Sequence, residues 1–117
     1  MVNNPIKMYR TLLFAPGSRP ELLSKAQMGD ADAMIFDLED SVPLNAKDEA
    51  RQNIADALAT GLKKPMFLRI NNPRAGDFMA DLKVLADAGS LTNVAGIVLP
   101  KADDANDVQA VAKALQA

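Results

Sequence analysis

The sequence predicts an α/β fold built on a parallel sheet. Three observations point to it. Short apolar runs of strand type alternate with stretches of helical spacing, Gly and Pro mark the breaks between them, and the unusual polar residues gather just after the apolar runs. Alternation of this kind implies right-handed crossovers between parallel strands.

The elements follow in order. Arg10–Pro16 (RTLLFAP) is the first strand, stopped by Pro16-Gly17. Ser18 is the expected N-cap of the first helix, with Pro20 near the first helical position. Leu22, Leu23 and Ala26 keep helical spacing to Met28, and Gly29 ends the helix. Ala33–Leu38 is the second strand. A loop holding Pro43 leads to Asn45, the expected cap of a helix whose inward face is Ala50, Ile54, Ala57 and Leu58, with Gly61 as its stop. Pro65–Ile70 is the third strand, and Asn71-Asn72-Pro73 breaks it. Asp77–Ala88 is the third helix, with Phe78, Leu82, Leu85 and Ala86 on one side. Val94–Leu99 is the fourth strand, closed by Pro100. Asp103–Ala117 is the fourth helix, with Val108, Val111, Ala112 and Leu115 expected inward. The 117 residues suffice for one compact domain, 1–117.

Composition narrows the chemistry. A net charge of −2 gives no electrostatic case for nucleic acid or an anionic membrane. There is no Cys and no His, so thiolate chemistry, disulfides and nitrogen- or sulfur-ligated zinc are excluded within these residues. Oxygen donors alone suit a hard ion such as Mg²⁺. Met1–Arg10 lacks the apolar core of a signal peptide, and no apolar run approaches the ~20 residues that span a bilayer. A cytoplasmic location is the expectation.

The polar residues fall at one edge. Strand 1 leads into Gly17, Ser18 and Arg19. Strand 2 ends in Asp37, Glu39 and Asp40, strand 3 in Arg69, Asn71 and Asn72, and strand 4 in Lys101. Ligands bind at the carboxyl edge of parallel sheets. Alternation along a strand puts Asp37 with Glu39, and Arg69 with Asn71, so a carboxylate pair can face a guanidinium. Plainer readings stand beside these. Asp37–Asp40 also reads as a solvated strand end, and Arg69 as a structural partner of Asp37. Lys101 also reads as an exposed lysine, and Gly17-Ser18 as a turn rather than an anion cradle. Arg19 and Lys25 read either as phosphate contacts or as a solvated helix face.

Four blocks, RTLLFAPGSRPELLSKA, ADAMIFDLEDSVPLNAKDEAR, FLRINNP and GIVLPKAD, in that order from Arg10 to Asp103, resemble the citrate lyase β-subunit family. This family is part of the HpcH/HpaI aldolase group, with malyl-CoA and citramalyl-CoA lyases. The resemblance implies a (β/α)₈ barrel that cleaves a C–C bond of a 3-hydroxy-acyl thioester with Mg²⁺, the carrier being CoA or an acyl carrier protein. It implies that Arg69 and Asp37 are catalytic. Arg69, with Arg19, Phe14, Lys25 and Asn71, would bind substrate, and Glu39 and Asp40 would lie near the metal without ligating it directly.

The family's direct Mg²⁺ ligands lie on later strands and have no counterpart in this sequence. A full barrel takes roughly 250 residues, whereas this chain offers four βα units. It is then either the N-terminal half of a longer enzyme or a half barrel that associates, with a homo-oligomer expected. The functional expectation is a citrate-lyase-type C–C lyase. Its rivals are a non-catalytic half barrel that binds a partner chain and a receiver-like signalling domain. The receiver reading is weakened because strand 1 ends without paired acids.

Overall fold

A computed structural model of the chain describes residues 8–75 and 77–116. Its strands are β1 (Leu12–Pro16), β2 (Ala33–Asp37), β3 (Met66–Arg69) and β4 (Val94–Val98). Its helices are α1 (Pro20–Met28), α2 (Lys47–Thr60), α3 (Phe78–Ala86) and α4 (Ala105–Leu115). All strand pairings are parallel, and the sheet order β1-β2-β3-β4 follows the chain. The order never doubles back, as expected of consecutive units of a barrel. A receiver-type sheet runs 2-1-3-4-5, so the signalling alternative is excluded.

Alternation sorts each strand into two faces. Ala15, Met34, Phe36, Met66 and Leu68 pack against Leu23, Ala26, Ile54, Leu58, Leu82 and Leu85 of the helices, in one continuous core. Phe14, Ile35, Phe67 and Gly96 form one register row on the other face. The next alternate row is Pro16, Asp37, Arg69 and Val98, at the strand ends. Tyr9 meets Phe67 edge-on at 5.7 Å. That second face therefore changes from aromatic to ionic within two residues.

Several expected details are corrected. Ser18 does not cap α1: the N-cap position is Arg19, and no side chain bonds there. Pro20 at the first position makes the helix start without one. Asn45 falls inside a short 3₁₀ turn, Leu44–Ala46, which leads straight into α2. α4 begins at Ala105 rather than at Asp103, with Asp104 as its N-cap accepting the Asn106 N–H. The inward face of α4 is Asp107, Val111 and Ala114, while Val108 and Leu115 are more than half exposed. Among the described residues no element lies beyond β4 to cover them. Met1–Lys7 and Ala117, part of the N-terminal reading and the end of the fourth helix, lie outside the described residues. No helix among the described residues is long and apolar enough to cross a membrane.

Candidate active site at the strand ends

The β2–β3 register sets Asp37 directly opposite Arg69. Arg69 grips the carboxylate side-on, Nε donating to Oδ1 at 2.7 Å and Nη2 to Oδ2 at 2.8 Å. Asp37 is fully buried and takes further bonds from the Glu39 N–H, the Ser41 N–H and the Ser41 hydroxyl. Burial alone would raise its pKa. The Arg69 and Ser41 side chains and the two amides outweigh burial and hold it well below the usual carboxylate range. Arg69 is pushed up in turn, chiefly by its bond to Asp37.

The guanidinium lies over the Phe14 ring at 4.6 Å, a cation–π contact. Phe14 is half exposed and Arg69 one-fifth exposed, so the pair faces open space. Nε and Nη2 are committed to Asp37, whereas Nη1 makes no hydrogen bond among the described residues. An anion can reach the guanidinium along that edge.

The rim is also paired. Glu39 lies 3.7 Å from Arg69 Nε through Oε1, and its Oε2 takes the Lys101 ammonium, which also reaches Asp40 at 3.0 Å. These carboxylates raise the Lys101 pKa, Glu39 first and then Asp40. Under the rim, Lys47 Nζ donates to the carbonyls of Leu38, Glu39 and Val42 at 2.8, 3.0 and 3.1 Å, which fixes the loop after β2.

The structure thus brings Asp37, Glu39, Asp40, Arg69 and Phe14 together, and adds Lys101. Asn71 is placed differently. It is buried and does not share the Arg69 face, because β3 ends at Arg69. Its side-chain amide donates to the Leu38 carbonyl at 3.0 Å and to Asp81 at 2.7 Å, so it ties two strand ends together. Arg19 is exposed and paired with Glu21 at 3.0 Å. Lys25 lies on α1 roughly 8 Å of helix rise beyond Pro20, exposed and without an ion pair among the described residues.

Residues 10–117 match the family described as HpcH/HpaI aldolase/citrate lyase. The chain belongs to that family. It is 35% identical to a citrate lyase subunit beta-like protein of Deinococcus radiodurans, over 98% of this chain and 41% of the relative. It is 37% identical to an L-malyl-CoA/beta-methylmalyl-CoA lyase of Rhodobacter capsulatus, over 92% of this chain and 34% of the relative. Among solved structures it resembles protein CitE of Mycobacterium tuberculosis in complex with magnesium, acetoacetate and coenzyme A. The TM-score there is 0.65 with 33% identity, over 86% of this chain and 35% of that one. The chain therefore spans between a third and about two-fifths of the length of these relatives. With four parallel βα units, it is part of a TIM-barrel-type fold.

For this HpcH/HpaI family chain, four residues that secure the strand ends went unremarked in the sequence. Ser41 and Lys47 carry no spacing signal. Asp81 does: it sits among the apolar positions of α3, between Phe78 and Leu85, where a carboxylate demands a partner. Its partner is Arg51, whose Nε lies 2.8 Å away, and the Asn71 N–H also reaches it at 2.7 Å.

Magnesium does not fit the acids of this chain. Asp37 is closed off by Arg69 and Ser41, and Glu39 and Asp40 are both paired with Lys101. Among the described residues no three acidic side chains converge as a metal site.

Proposed function

We propose that this chain supplies the N-terminal half of the barrel mouth of a citrate-lyase-type C–C lyase. The reaction would be cleavage of a citryl, malyl or citramalyl thioester into a keto acid and an acyl thioester. The observation that carries this reading is the guanidinium of Arg69, clamped on one edge by Asp37, backed by Phe14 and open at Nη1. A rigid guanidinium with a free edge receives a carboxylate or carbonyl oxygen. It also stabilises negative charge that develops on that oxygen when the C–C bond breaks.

Asp37 orients Arg69 and does not itself exchange a proton, since its bonds keep it ionised. Glu39 and Asp40 shape the rim. In this reading the exposed Arg19 and Lys25 contact the CoA or acyl-carrier arm, while Asn71 supports the site from behind. Relatives with bound magnesium support a magnesium-dependent reaction. Its ligands would come from outside this chain, from the rest of a longer polypeptide or from a partner. Assembly as a homo-oligomer in the cytoplasm belongs to the same proposal.

A second reading, a half barrel that binds a partner chain without turnover, draws on one observation. Leu85, Ile97, Val108, Val111 and Leu115 line an open apolar groove between β4 and α4. The two readings part at the mouth. Oxaloacetate titrated into the labelled chain should shift the NMR signals of Arg69 and Phe14, and Arg69→Lys should abolish the response. An unresponsive Arg69 at millimolar oxaloacetate would remove anion capture by this half of the mouth.

A further inference from the structure

Lys101 has a left-handed backbone, with φ of 54°. The other described non-glycine residue of this kind is an asparagine, Asn93, a type that tolerates the region. A lysine does so only where its surroundings enforce it, and such residues gather at functional sites. The enforcement here is explicit. Asn72 Nδ2 donates to the carbonyls of Pro100 and Lys101 at 3.1 and 3.3 Å, and Arg74 Nη2 to the Lys101 carbonyl at 2.9 Å. Arg74 is itself held by Asp107, at 3.3 and 3.1 Å, and by Asp103 at 3.2 Å. Asp107 is buried and also accepts the Asp103 N–H.

The kink sends the Lys101 ammonium across the mouth to the end of β2. There Glu39 stands between two cations. Lys101 takes Oε2, while Oε1 accepts the Asp40 N–H at 3.0 Å and lies 3.7 Å from Arg69 Nε, just outside hydrogen-bonding distance. We propose that Lys101 is a positioning residue that acts through Glu39. Its ammonium holds Glu39 back from Arg69 Nε, so that N–H stays committed to Asp37 and the guanidinium keeps its orientation, with Nη1 uncommitted. Without that ammonium, Arg69 is the one cation left to Glu39, whose Oε1 then competes with Asp37 for the Nε–H and turns the guanidinium.

The ligand named here rests on the proposed function, but the coupling between Lys101 and Arg69 does not. The test compares wild type, Lys101→Met, Glu39→Gln and the double variant of the 117-residue chain. The Arg69 Nε–H signal is followed by ¹⁵N-edited NMR, and oxaloacetate affinity by titration. Lys101→Met should displace the Arg69 signal and weaken oxaloacetate on the order of tenfold. Glu39→Gln added to Lys101→Met should restore both, which neither a direct substrate contact nor a simple surface ion pair predicts.

An unmoved Arg69 signal in Lys101→Met overturns the proposal. So does failure of Glu39→Gln to restore it. Lys101→Gly, which keeps the left-handed backbone at no steric cost, must reproduce Lys101→Met, or the effect belongs to the loop. If wild type binds no oxaloacetate, anion capture by Arg69 in this chain fails, and the Arg69 signals still decide the coupling.

Discussion

Arg69 and Asp37 meet with two parallel hydrogen bonds, from Nε at 2.7 Å and from Nη2 at 2.8 Å, across directly paired residues of neighbouring strands. The pair sets an acid limit on stability. The folded pKa of Asp37 lies below its unfolded value near 3.9. Its contribution is therefore full above about pH 4 and is lost as pH falls through the folded value. Urea midpoints measured from about pH 6 down to about pH 2 should drop more steeply for wild type than for Asp37→Asn. Parallel curves would contradict this.

Removing the cation is a different experiment. Arg69→Ala leaves a fully buried carboxylate with only Ser41 and backbone amides for company. It should cost about 3 kcal/mol, the scale of breaking a buried pair. Adding Asp37→Asn should recover part of that loss in the same denaturation assay. Any activity measured on Arg69→Ala alone has to be corrected for its folded fraction.

Gly17 is required by close approach. A Cβ there would stand 2.8 Å from the Asp37 carbonyl and 2.9 Å from Ile54 Cδ1. Gly17→Ala should destabilise by ~1–3 kcal/mol, as overpacking does. Gly89→Ala meets nothing within 4 Å and should stay within about 0.5 kcal/mol of wild type. Thermal melts of the two variants side by side provide the check.

Asp81 joins α3 to Arg51 and to both nitrogens of Asn71. Asp81→Ala leaves the largely buried Arg51 guanidinium with only the more exposed Asp48 and Asp77, leaves the Asn71 N–H without its partner, and should cost about 3 kcal/mol. Asp81→Asn keeps the shape without the charge and should fall between that variant and wild type. Equal stability for Asp81→Ala and wild type would show that the network contributes nothing.

The strands were legible because apolar runs punctuated by Gly and Pro leave little freedom, and the edge bearing Asp37 and Arg69 followed from chain direction. Side-chain commitments were harder to read. Asn71 was grouped with Arg69 by alternation, but alternation stops where the strand stops, and β3 ends at Arg69. Val108 and Leu115 were expected inward because periodicity shows which residues are apolar, not whether a neighbour exists to cover them. Caps at Ser18 and Asn45 were expected from residue type, yet Pro20 and a 3₁₀ turn begin those helices without side-chain help. In sequence Lys101 also reads as an exposed lysine, since its left-handed backbone depends on Asn72 and Arg74, roughly thirty positions earlier.

The sequential strand order has a consequence for how the chain acquires its shape. From β2 on, each strand pairs with the one just before it, and among the described residues no pairing skips a unit. Every closure in the sheet is therefore short-range for a parallel fold, and such topologies fold faster than those stitched from distant segments. On a ribosome, each βα unit can dock as it emerges, extending a sheet already in place, and the Asp37–Arg69 clasp can close before β4 has been synthesised.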